Sequence, residues 1–341
     1  MKWDFAIGNP PYHETLENTS DKPVYNDFMD AAFSVSDVVE LITPARFLFD
    51  AGKTPKNWNE KMLSDEHLKV LLYEADSNNV FSNTEIKGGV AVTYRNNHKK
   101  YGAIENFTPY AELNSIFNKV RKDRSFESIS SIVITSFAYH YTDALHRDFP
   151  TAAERLSKGH AYDLKSNAFD RLPDIFTEEQ PRDSSPYIKI LGRQNNSRAY
   201  RFIRRDYVNQ VENLDKYKLF IPKANGSGTF GEVLTLPELC GPGIGATESF
   251  VGVGMFDSAN EAENLLKYIK TKFLRTMLGV LKITQEITPS KWKYVPLQDF
   301  TDKSDINWNT SIANIDKQLY KKYGLSQEEI DFIETHVKEM V

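Results

Sequence analysis

The sequence is poor in cysteine, since Cys240 is the only one among 341 residues. A single thiol can form neither an internal disulfide nor a cysteine-rich zinc site, and we expect Cys240 to be a small buried side chain. The seven histidines show no metal-ligand spacing, so no metal site is predicted. No stretch approaches the roughly 20 apolar residues of a membrane span, and the N-terminus is typical of a strand rather than of a secretory signal. These absences favour a cytoplasmic protein in reducing surroundings.

A short apolar run at the N-terminus leads directly into two prolines. Trp3–Gly8 predicts a buried β-strand. Asn9, Pro10, Pro11 and Tyr12 follow, and the prolines end the strand because each fixes its φ angle and lacks an N–H donor. Such a strand ends in a stiff loop presenting an amide and an aromatic ring, at the edge where open α/β sheets bind ligands. The alternative is a proline turn that caps a strand, with Tyr12 in ordinary packing.

The Asn-Pro-Pro-Tyr motif resembles the catalytic motif of amino-group DNA methyltransferases, in the form typical of adenine-specific enzymes. Further segments follow in the order found in the methyltransferase half of fused type II restriction-modification enzymes: Tyr-Asn-Asp-Phe at 25–28, Leu-Ile-Thr-Pro-Ala-Arg-Phe at 41–47, Val-Phe at 80–81 and Ile-Lys-Gly-Gly-Val at 86–90. Residues 217–292 are similar to the target-recognition region of the same enzymes. The resemblance covers most of the chain, and the ordered set is more specific than the motif alone.

The resemblance implies methyl transfer from S-adenosylmethionine to the exocyclic amine of an adenine in duplex DNA. That amine is a poor nucleophile, because its lone pair is delocalised into the ring. The side-chain oxygen of Asn9 and the carbonyl of Pro10 can each accept a hydrogen bond from it, which localises the lone pair. The base must first leave the duplex, and Tyr12 then offers a face for stacking. Phe81 matches the second stacking aromatic, and the implied catalytic residues are Asn9, Pro10, Pro11 and Tyr12.

The resembling enzymes carry a cofactor half before the catalytic loop, whereas this sequence begins only a few residues before it. That half contains a Phe-x-Gly-x-Gly turn for the methionine moiety and an acidic residue for the ribose. The chain is therefore expected to be truncated, to receive the cofactor half from another polypeptide, or to have its halves permuted. Phe250, Gly252 and Gly254 fit the turn in letters, but their neighbours alternate like a half-exposed strand.

Two other letter patterns fit known sites, but their surroundings do not support them. Gly-Ser-Gly-Thr-Phe-Gly at 226–231 matches the dinucleotide fingerprint, yet residues 232–239 predict strand and turn instead of the required helix. Asp76, Glu85 and Lys87 resemble a metal-dependent nuclease pattern. Their spacing is short, and they coincide with the methyltransferase segments.

The net charge of −5 does not by itself indicate a nucleic-acid-binding protein. Its distribution is more informative, since residues 182–223 contain ten basic and four acidic side chains, whereas residues 299–341 contain nine acidic side chains and five lysines. The basic stretch predicts a DNA-binding face, and the alternative is a solvated surface. The predicted DNA contacts are Lys189, Arg193, Arg198, Arg201, Arg204, Arg205 and Lys223.

The predicted fold is α/β: the second half of a doubly wound, Rossmann-like methyltransferase sheet, then a mixed α/β target-recognition domain and a helical tail. Predicted strands, besides the first, lie at 38–43, 69–75, 89–94, 188–192 and 216–224. Predicted helices lie at 23–36, 56–63, 109–122, 261–281 and 312–340, the last interrupted at Gly324 and restarting at Ser326. The predicted domains are a catalytic half (1–105), a helical connector (106–165), a target-recognition domain (166–300) and a helical tail (301–341).

Two functions agree with these patterns. The first is a DNA adenine methyltransferase of a restriction-modification system, present as a partial chain. The second is a catalytically inactive DNA-specificity protein derived from that family. Titration with S-adenosylmethionine would separate the two.

Overall fold

Two compact units divide the chain, unit 1 comprising Met1–Asn114 and unit 2 comprising Ser115–Val341. The structure is a computed structural model that describes residues 3–14, 22–82 and 86–340. Both units contain helices and sheets, so the predicted mixed α/β class is confirmed. Within the described residues, no helix combines the length and the apolar character needed to cross a membrane.

Unit 1 is built on a four-stranded mixed sheet. The strands of unit 1 are β1 (Trp3–Gly8), β2 (His13–Glu14), β3 (Lys22–Pro23), β4 (Ser36–Pro44), β5 (Leu68–Glu74) and β6 (Val90–Asn96). Strands β2 and β3 pair with each other in a separate two-stranded sheet. The helices of unit 1 are α1 (Tyr25–Val35) and α2 (Lys56–Ser64), and α3 (Ala111–Lys122) spans the boundary at residue 114. The sheet order is β1-β4-β6-β5, with β1 and β4 parallel and β6 antiparallel to both β4 and β5. The connection from β1 to β4 therefore returns through α1 to a parallel neighbour, as in a βαβ unit.

Helix α1 covers one face of this sheet. Tyr25 and Met29 lie one turn apart on the helix and are both buried, as helical periodicity requires of a core-facing stripe. They share a hydrophobic core with Val39 and Leu41 of β4. The helix ends at Ser36, whose extended backbone begins β4.

Strand β1 differs from the prediction of a buried strand. Trp3, Phe5 and Ile7 are 65%, 49% and 73% exposed, while Ala6, on the alternate face, packs against the core. Among the described strands, β1 pairs only with β4 and forms the sheet edge. The prediction was wrong because an apolar run reports which residues favour burial, not whether a covering layer is present.

Unit 2 contains two further sheets and most of the helices. Its strands are β7 (Val133–Ile134), β8 (Tyr187–Gln194), β9 (Ser197–Arg204), β10 (Tyr217–Pro222), β11 (Glu238–Cys240), β12 (Ile244–Ala246) and β13 (Phe250–Phe256). They form sheets of order β11-β10-β13-β7 and β12-β8-β9. The helices that follow α3 are α4 (Asp143–Asp148), α5 (Ala152–Arg155), α6 (Ala168–Arg171), α7 (Ala259–Lys270), α8 (Lys272–Gly279), α9 (Ile312–Lys322) and α10 (Gln327–His336). Cys240 is buried, as expected.

Polar caps determine where the C-terminal helices begin. The single helix predicted at 261–281 is two helices, because Thr271 has an extended backbone and its hydroxyl accepts the Leu274 N–H at the start of α8. Ser326 and Glu329 form a capping box at the start of α10, which confirms the predicted helix start there.

Candidate functional site

The Asn-Pro-Pro-Tyr loop begins where β1 ends. Gly8 is the last residue of β1 and pairs with Leu41 of the parallel strand β4. Asn9 follows with an exposed side chain, and Pro10 is partly buried. The loop is held at its far end, because the Val24 N–H donates to the Tyr12 carbonyl at 3.1 Å. The predicted stiff loop at the carboxyl end of a strand is therefore present, with its amide accessible.

Tyr12 and Phe81, separated by most of unit 1 in sequence, lie side by side. Their ring centroids are 6.4 Å apart and their planes make an angle of 67°, an edge-to-face contact. A short 3₁₀ turn (Ser77–Asn79) positions Phe81, whose N–H donates to the Ser77 carbonyl at 2.8 Å. The structure thus brings together the two aromatic side chains that the sequence assigned to stacking.

The Tyr12 hydroxyl is buried without a hydrogen-bond partner among the described residues. Burial raises the pKa of this phenol to about 12, and the nearby Asn9 side chain opposes the shift only in part. The phenol is therefore neutral throughout the physiological range. Tyr12 contributes a ring and an uncharged hydroxyl to the site, not a phenolate base.

The nuclease-like pattern has no metal site around it in the described part of the chain. The Asp76 carboxylate accepts hydrogen bonds from the backbone and side chain of Asn78 and so caps its own turn. Glu85 lies outside the described residues. Among those described, no cluster of three His, Cys, Asp or Glu side chains could hold a metal ion.

The glycines of the permuted-cofactor hypothesis lie inside a strand. Gly252 sits in the middle of β13, paired with both β10 and β7. A Cβ on Gly252 would come within 2.8 Å of the Asn213 side-chain nitrogen, so the glycine allows close packing there. A cofactor turn would need these glycines at the junction of a strand with a helix, and the structure therefore contradicts this alternative.

The glycine-rich loop at 226–231 is already occupied by a side chain of the protein. The Glu232 carboxylate accepts the N–H groups of Ser227 and Gly228, at 2.7 and 2.9 Å, and also pairs with the buried Lys282 ammonium. Gly231 has a φ of +74°, and a Cβ there would lie 2.0 Å from the His336 carbonyl oxygen. The loop therefore binds an internal carboxylate in place of the phosphate of a dinucleotide.

Four of the seven predicted DNA contacts are held in ion pairs. Their partners are Glu238 for Arg198 at 2.6 Å, Glu178 for Arg201 at 2.8 Å, Asp206 and Asp148 for Arg204 at 2.6 and 3.1 Å, and Asp215 for Arg205 at 2.9 Å. These carboxylates offset the guanidinium charges, so the stretch is less positive in the fold than in the sequence. Contact between these arginines and DNA stays a prediction.

The other three predicted contacts lie at two places in unit 2. Lys189 and Arg193 are exposed on β8, next to a two-residue hairpin turn in which Asn195 and Asn196 have positive φ angles of 49° and 61°. Lys223 follows β10, and its ammonium group lies 4.6 Å from the centroid of the Phe137 ring. Phe137 was not singled out from the sequence, because one aromatic residue in a loop carries no pattern.

Comparisons with known proteins agree with the assignment of the N-terminal part. Residues 1–81, which include Asn9, Tyr12 and Phe81, match the family described as Eco57I restriction-modification methylase. An uncharacterized adenine-specific methylase of Mycoplasma pneumoniae is 30% identical over 105 residues, which cover 29% of this chain and 25% of that protein. The match thus spans about a quarter of the length of this curated relative.

Two solved structures of restriction-modification enzymes overlay on the chain with low scores. The type IIG restriction endonuclease BpuSI gives a TM-score of 0.33 at 9% identity, covering 94% of this chain and 50% of that one. The type IIL enzyme MmeI in complex with DNA gives 0.31 at 10% identity, covering 98% and 56%. Both scores are too low to establish a shared fold. The family match agrees with the resemblance for the N-terminal segment, since residues 1–81 are similar to an Eco57I-type restriction-modification methylase domain.

Proposed function

We propose that the chain is the catalytic and DNA-recognising part of a DNA adenine methyltransferase in a restriction-modification system. The observation that carries the proposal is the meeting of Tyr12 and Phe81, 6.4 Å apart, beside the exposed Asn9 at the carboxyl end of β1. A strand-end amide next to two aromatic rings suits a planar base with an exocyclic amine. The family match of residues 1–81 supports the same reading.

Asn9 and Pro10 act on the amine. The Asn9 side-chain oxygen and the Pro10 carbonyl oxygen each accept a hydrogen bond from one N–H of the amine. These two hydrogen bonds direct the nitrogen lone pair out of the ring plane. Because this localisation is worth most when the new bond forms, the two acceptors stabilise the transition state more than the bound base. The exposed position of Asn9 lets it reach a base that enters from solvent.

Tyr12 and Phe81 hold the base after it has left the duplex. Since their planes are inclined at 67°, one base can stack face-on against only one of them and meets the edge of the other. Each stacking contact contributes about 1–3 kcal/mol. The second ring then limits how the base rotates in the site.

S-adenosylmethionine would supply the methyl group. The segment from Asn9 to Tyr12 offers an amide, two prolyl carbonyls and a ring face, which suit the amine of a base. The exposed Trp3, Phe5 and Ile7 on edge strand β1 support completion of the cofactor site by a further α/β segment that pairs with β1. That segment would lie on the same polypeptide or on a partner.

Methylation mapping tests the proposal. The gene and its native flanking genomic segment are expressed in a host without adenine methylation. The DNA of that host should then carry N6-methyladenine at one recognition sequence. Asn9→Ala should remove this modification, whereas Asn57→Ala, which changes an exposed asparagine at the start of α2, should leave it. Unmodified adenine with the wild-type protein, or modification that survives Asn9→Ala, would contradict the proposed chemistry.

Base flipping gives a separate measurement once the recognition sequence is known. A duplex with 2-aminopurine at the target position should brighten when the base leaves the stack. Tyr12→Ala and Phe81→Ala should each reduce this signal, raise the apparent KM and slow turnover, because each removes a stacking face. Tyr12→Phe keeps the ring and should preserve the signal. Equal brightening in all variants would assign Tyr12 to ordinary packing.

Calorimetry with S-adenosylmethionine tests whether this chain by itself holds a complete cofactor site. The chain alone should bind the cofactor weakly or not at all, because the proposed cofactor site is completed by a further segment that pairs with β1. A dissociation constant in the low micromolar range, about −8 kcal/mol, would show that the chain holds a complete site.

A further inference from the structure

Phe137 is an aromatic side chain fixed at the surface of unit 2. It is 44% exposed in the turn that follows β7. The turn is closed by the Ala138 N–H donating to the Thr135 carbonyl at 3.1 Å. The next aromatic residue, Tyr139, is buried and donates to the Asn213 side chain at 2.7 Å. The turn therefore exposes the Phe137 side chain, and the buried Tyr139 that follows fixes the position of the turn.

Two lysines flank the Phe137 ring. The Lys223 ammonium lies 4.6 Å and the Lys165 ammonium 5.8 Å from the ring centroid, both within cation–π distance. Lys165 is also paired with Glu248 at 3.1 Å and Asp163 at 3.4 Å, so its charge is already compensated. In the described part of the chain Lys223 pairs with no carboxylate, and its charge remains available.

The backbone under Lys223 is as firmly held as the Phe137 turn. The Lys223 N–H donates to the Ser249 carbonyl at 2.8 Å, and its carbonyl accepts the Ile287 N–H at 2.8 Å. A fixed ring beside an uncompensated cation matches the two contacts that proteins make with a nucleic-acid strand, stacking on a base or sugar and pairing with a phosphate. A protein partner would be expected to cover more apolar surface than one ring.

We propose that Phe137 and Lys223 form a DNA contact in unit 2, in which Lys223 pairs with a backbone phosphate and Phe137 packs against the adjoining nucleotide. This rests on the proposed function, since it supplies part of the DNA-binding surface of the same protein. It differs from the catalytic loop because it needs neither cofactor nor target adenine. Lys165 orients the ring from its fixed position and contributes little net charge.

Binding of the full chain to a fluorescein-labelled duplex of mixed sequence tests this contact. Phe137→Leu keeps an apolar side chain but removes the aromatic face, and should weaken binding about tenfold. Phe137→Trp keeps an aromatic face at this position and should bind the duplex about as tightly as the wild type does. Lys223→Gln should weaken binding to all sequences and lower the slope of log K against log salt by about one.

Lys293 provides a matched control. Its ammonium lies 5.0 Å from the Tyr294 ring centroid, but Tyr294 is buried and offers no free face. Lys293→Gln should therefore change binding less than twofold. A parallel titration with single-stranded DNA shows which form supplies the nucleotide: a larger Phe137→Leu effect on the single strand would indicate contact with an unstacked base.

The outcomes separate this contact from the methyltransferase proposal. Duplex binding that is unchanged in Phe137→Leu and Lys223→Gln, with the fold intact by circular dichroism, would overturn the contact and leave Phe137 as a stabiliser of its turn. An equal loss in Lys293→Gln would overturn it too, because any surface lysine would then suffice. Loss of binding in these variants without any adenine methylation by the wild-type protein would retain the contact and remove the proposed reaction.

Discussion

Strands β1 and β13 have similar apolar sequences and opposite environments. In β13, Phe250, Val251 and Val253 are at most 2% exposed, because neighbouring strands lie on both sides and α7 packs nearby. In β1, Phe5 and Ile7 are about half or more exposed at a sheet edge. An exposed apolar edge strand is a pairing hazard that proteins usually cover. The difference indicates that β13 lies inside a buried core, whereas β1 lies at an exposed edge of its sheet.

Charged side chains show a similar contrast between buried and exposed positions. Unit 2 buries a lysine, Lys218, whose ammonium donates to the carbonyls of Leu214, Lys216 and Gly241, and burial lowers its pKa to about 8. In unit 1 the pair of Lys100 with Glu66 is open to solvent. Buried charges need their partners, whereas exposed pairs contribute little. Removal of a buried charged side chain such as Lys218 should therefore cost much more stability than removal of an exposed one such as Lys100.

The largest effect is expected at Arg275. This side chain is 3% exposed and donates to four backbone carbonyls, one of them that of Lys338 at 2.6 Å near the C-terminus. Arg275→Ala would remove all four of these hydrogen bonds and should lower the free energy of unfolding by about 3–5 kcal/mol. Urea denaturation measures the loss of unfolding free energy, and hydrogen exchange of unit 2 peptides shows where the loss occurs. Arg182→Ala, at an exposed loop position, is the control; an equal loss there would contradict the contrast.

Glu232 makes the stability of unit 2 depend on pH. Burial by itself would raise its pKa, but hydrogen bonds from Lys282 and from the Ser227 and Gly228 N–H groups outweigh it and lower the pKa to about 2. A lowered carboxyl pKa gives stability that is present above the unfolded-state pKa and is lost as the pH falls toward the folded one. Comparison of the wild type with Glu232→Gln should show a difference of about 3 kcal/mol at neutral pH that falls to about half near pH 3.

A difference that stays constant from neutral pH to pH 3 would show that Glu232 acts through shape alone. Glu66→Gln in unit 1 serves as the control, because its carboxylate is exposed. The pH dependence of that variant should follow the wild type closely. Denaturant titrations at each pH supply the measurement.

The two strands can be compared directly by shortening one side chain in each. Val253→Ala should lower the free energy of unfolding by about 2 kcal/mol, since Val253 is fully buried. Ile7→Ala should change it by less than about 0.5 kcal/mol, because Ile7 is 73% exposed. If a further segment covers β1, Ile7→Ala should nevertheless reduce methylation in the native context. Equal stability losses would show that β1 is already covered in solution.

A small effect of the opposite sign is expected at Tyr12. Its hydroxyl is buried without a hydrogen-bond partner among the described residues, which is unfavourable. Tyr12→Phe removes this group and should stabilise unit 1 by about 1 kcal/mol or less. Hydrogen exchange in unit 1 peptides is the measurement. Destabilisation would reveal that the hydroxyl has a partner, such as an ordered water.

Local signals in the sequence were sufficient for many elements. The proline pair ended β1 because no other residue type removes both a donor and a torsional freedom. Apolar residues at helical spacing, Tyr25 and Met29 among them, predicted a helix at 23–36, and α1 spans Tyr25–Val35. Ser326 marked the start of α10 through its capping box. These features depend on neighbours within a few residues, so the sequence carries them almost completely.

Features that depend on distant residues required the tertiary structure. The break at Thr271 was missed, because the apolar spacing continues across it while the hydroxyl caps the second helix. The ion pairs of Arg204 with Asp148 and of Arg205 with Asp215 join side chains that a count of charges along the sequence treats as free. Phe137 gained its flanking lysines only when residues far along the chain came together.

The sequence by itself determined which groups stand at the end of β1: an amide and a prolyl carbonyl, followed by the aromatic residues that the family resemblance assigns to base stacking. Those residues are consecutive or belong to segments that follow one another in the family's order, so the sequence was sufficient to identify them. The tertiary structure decided which groups meet and which remain open. It placed Phe81 beside Tyr12, closed the glycine-rich loop on Glu232 and left β1 exposed. Burial and pairing are properties of the whole fold, which no local pattern encodes.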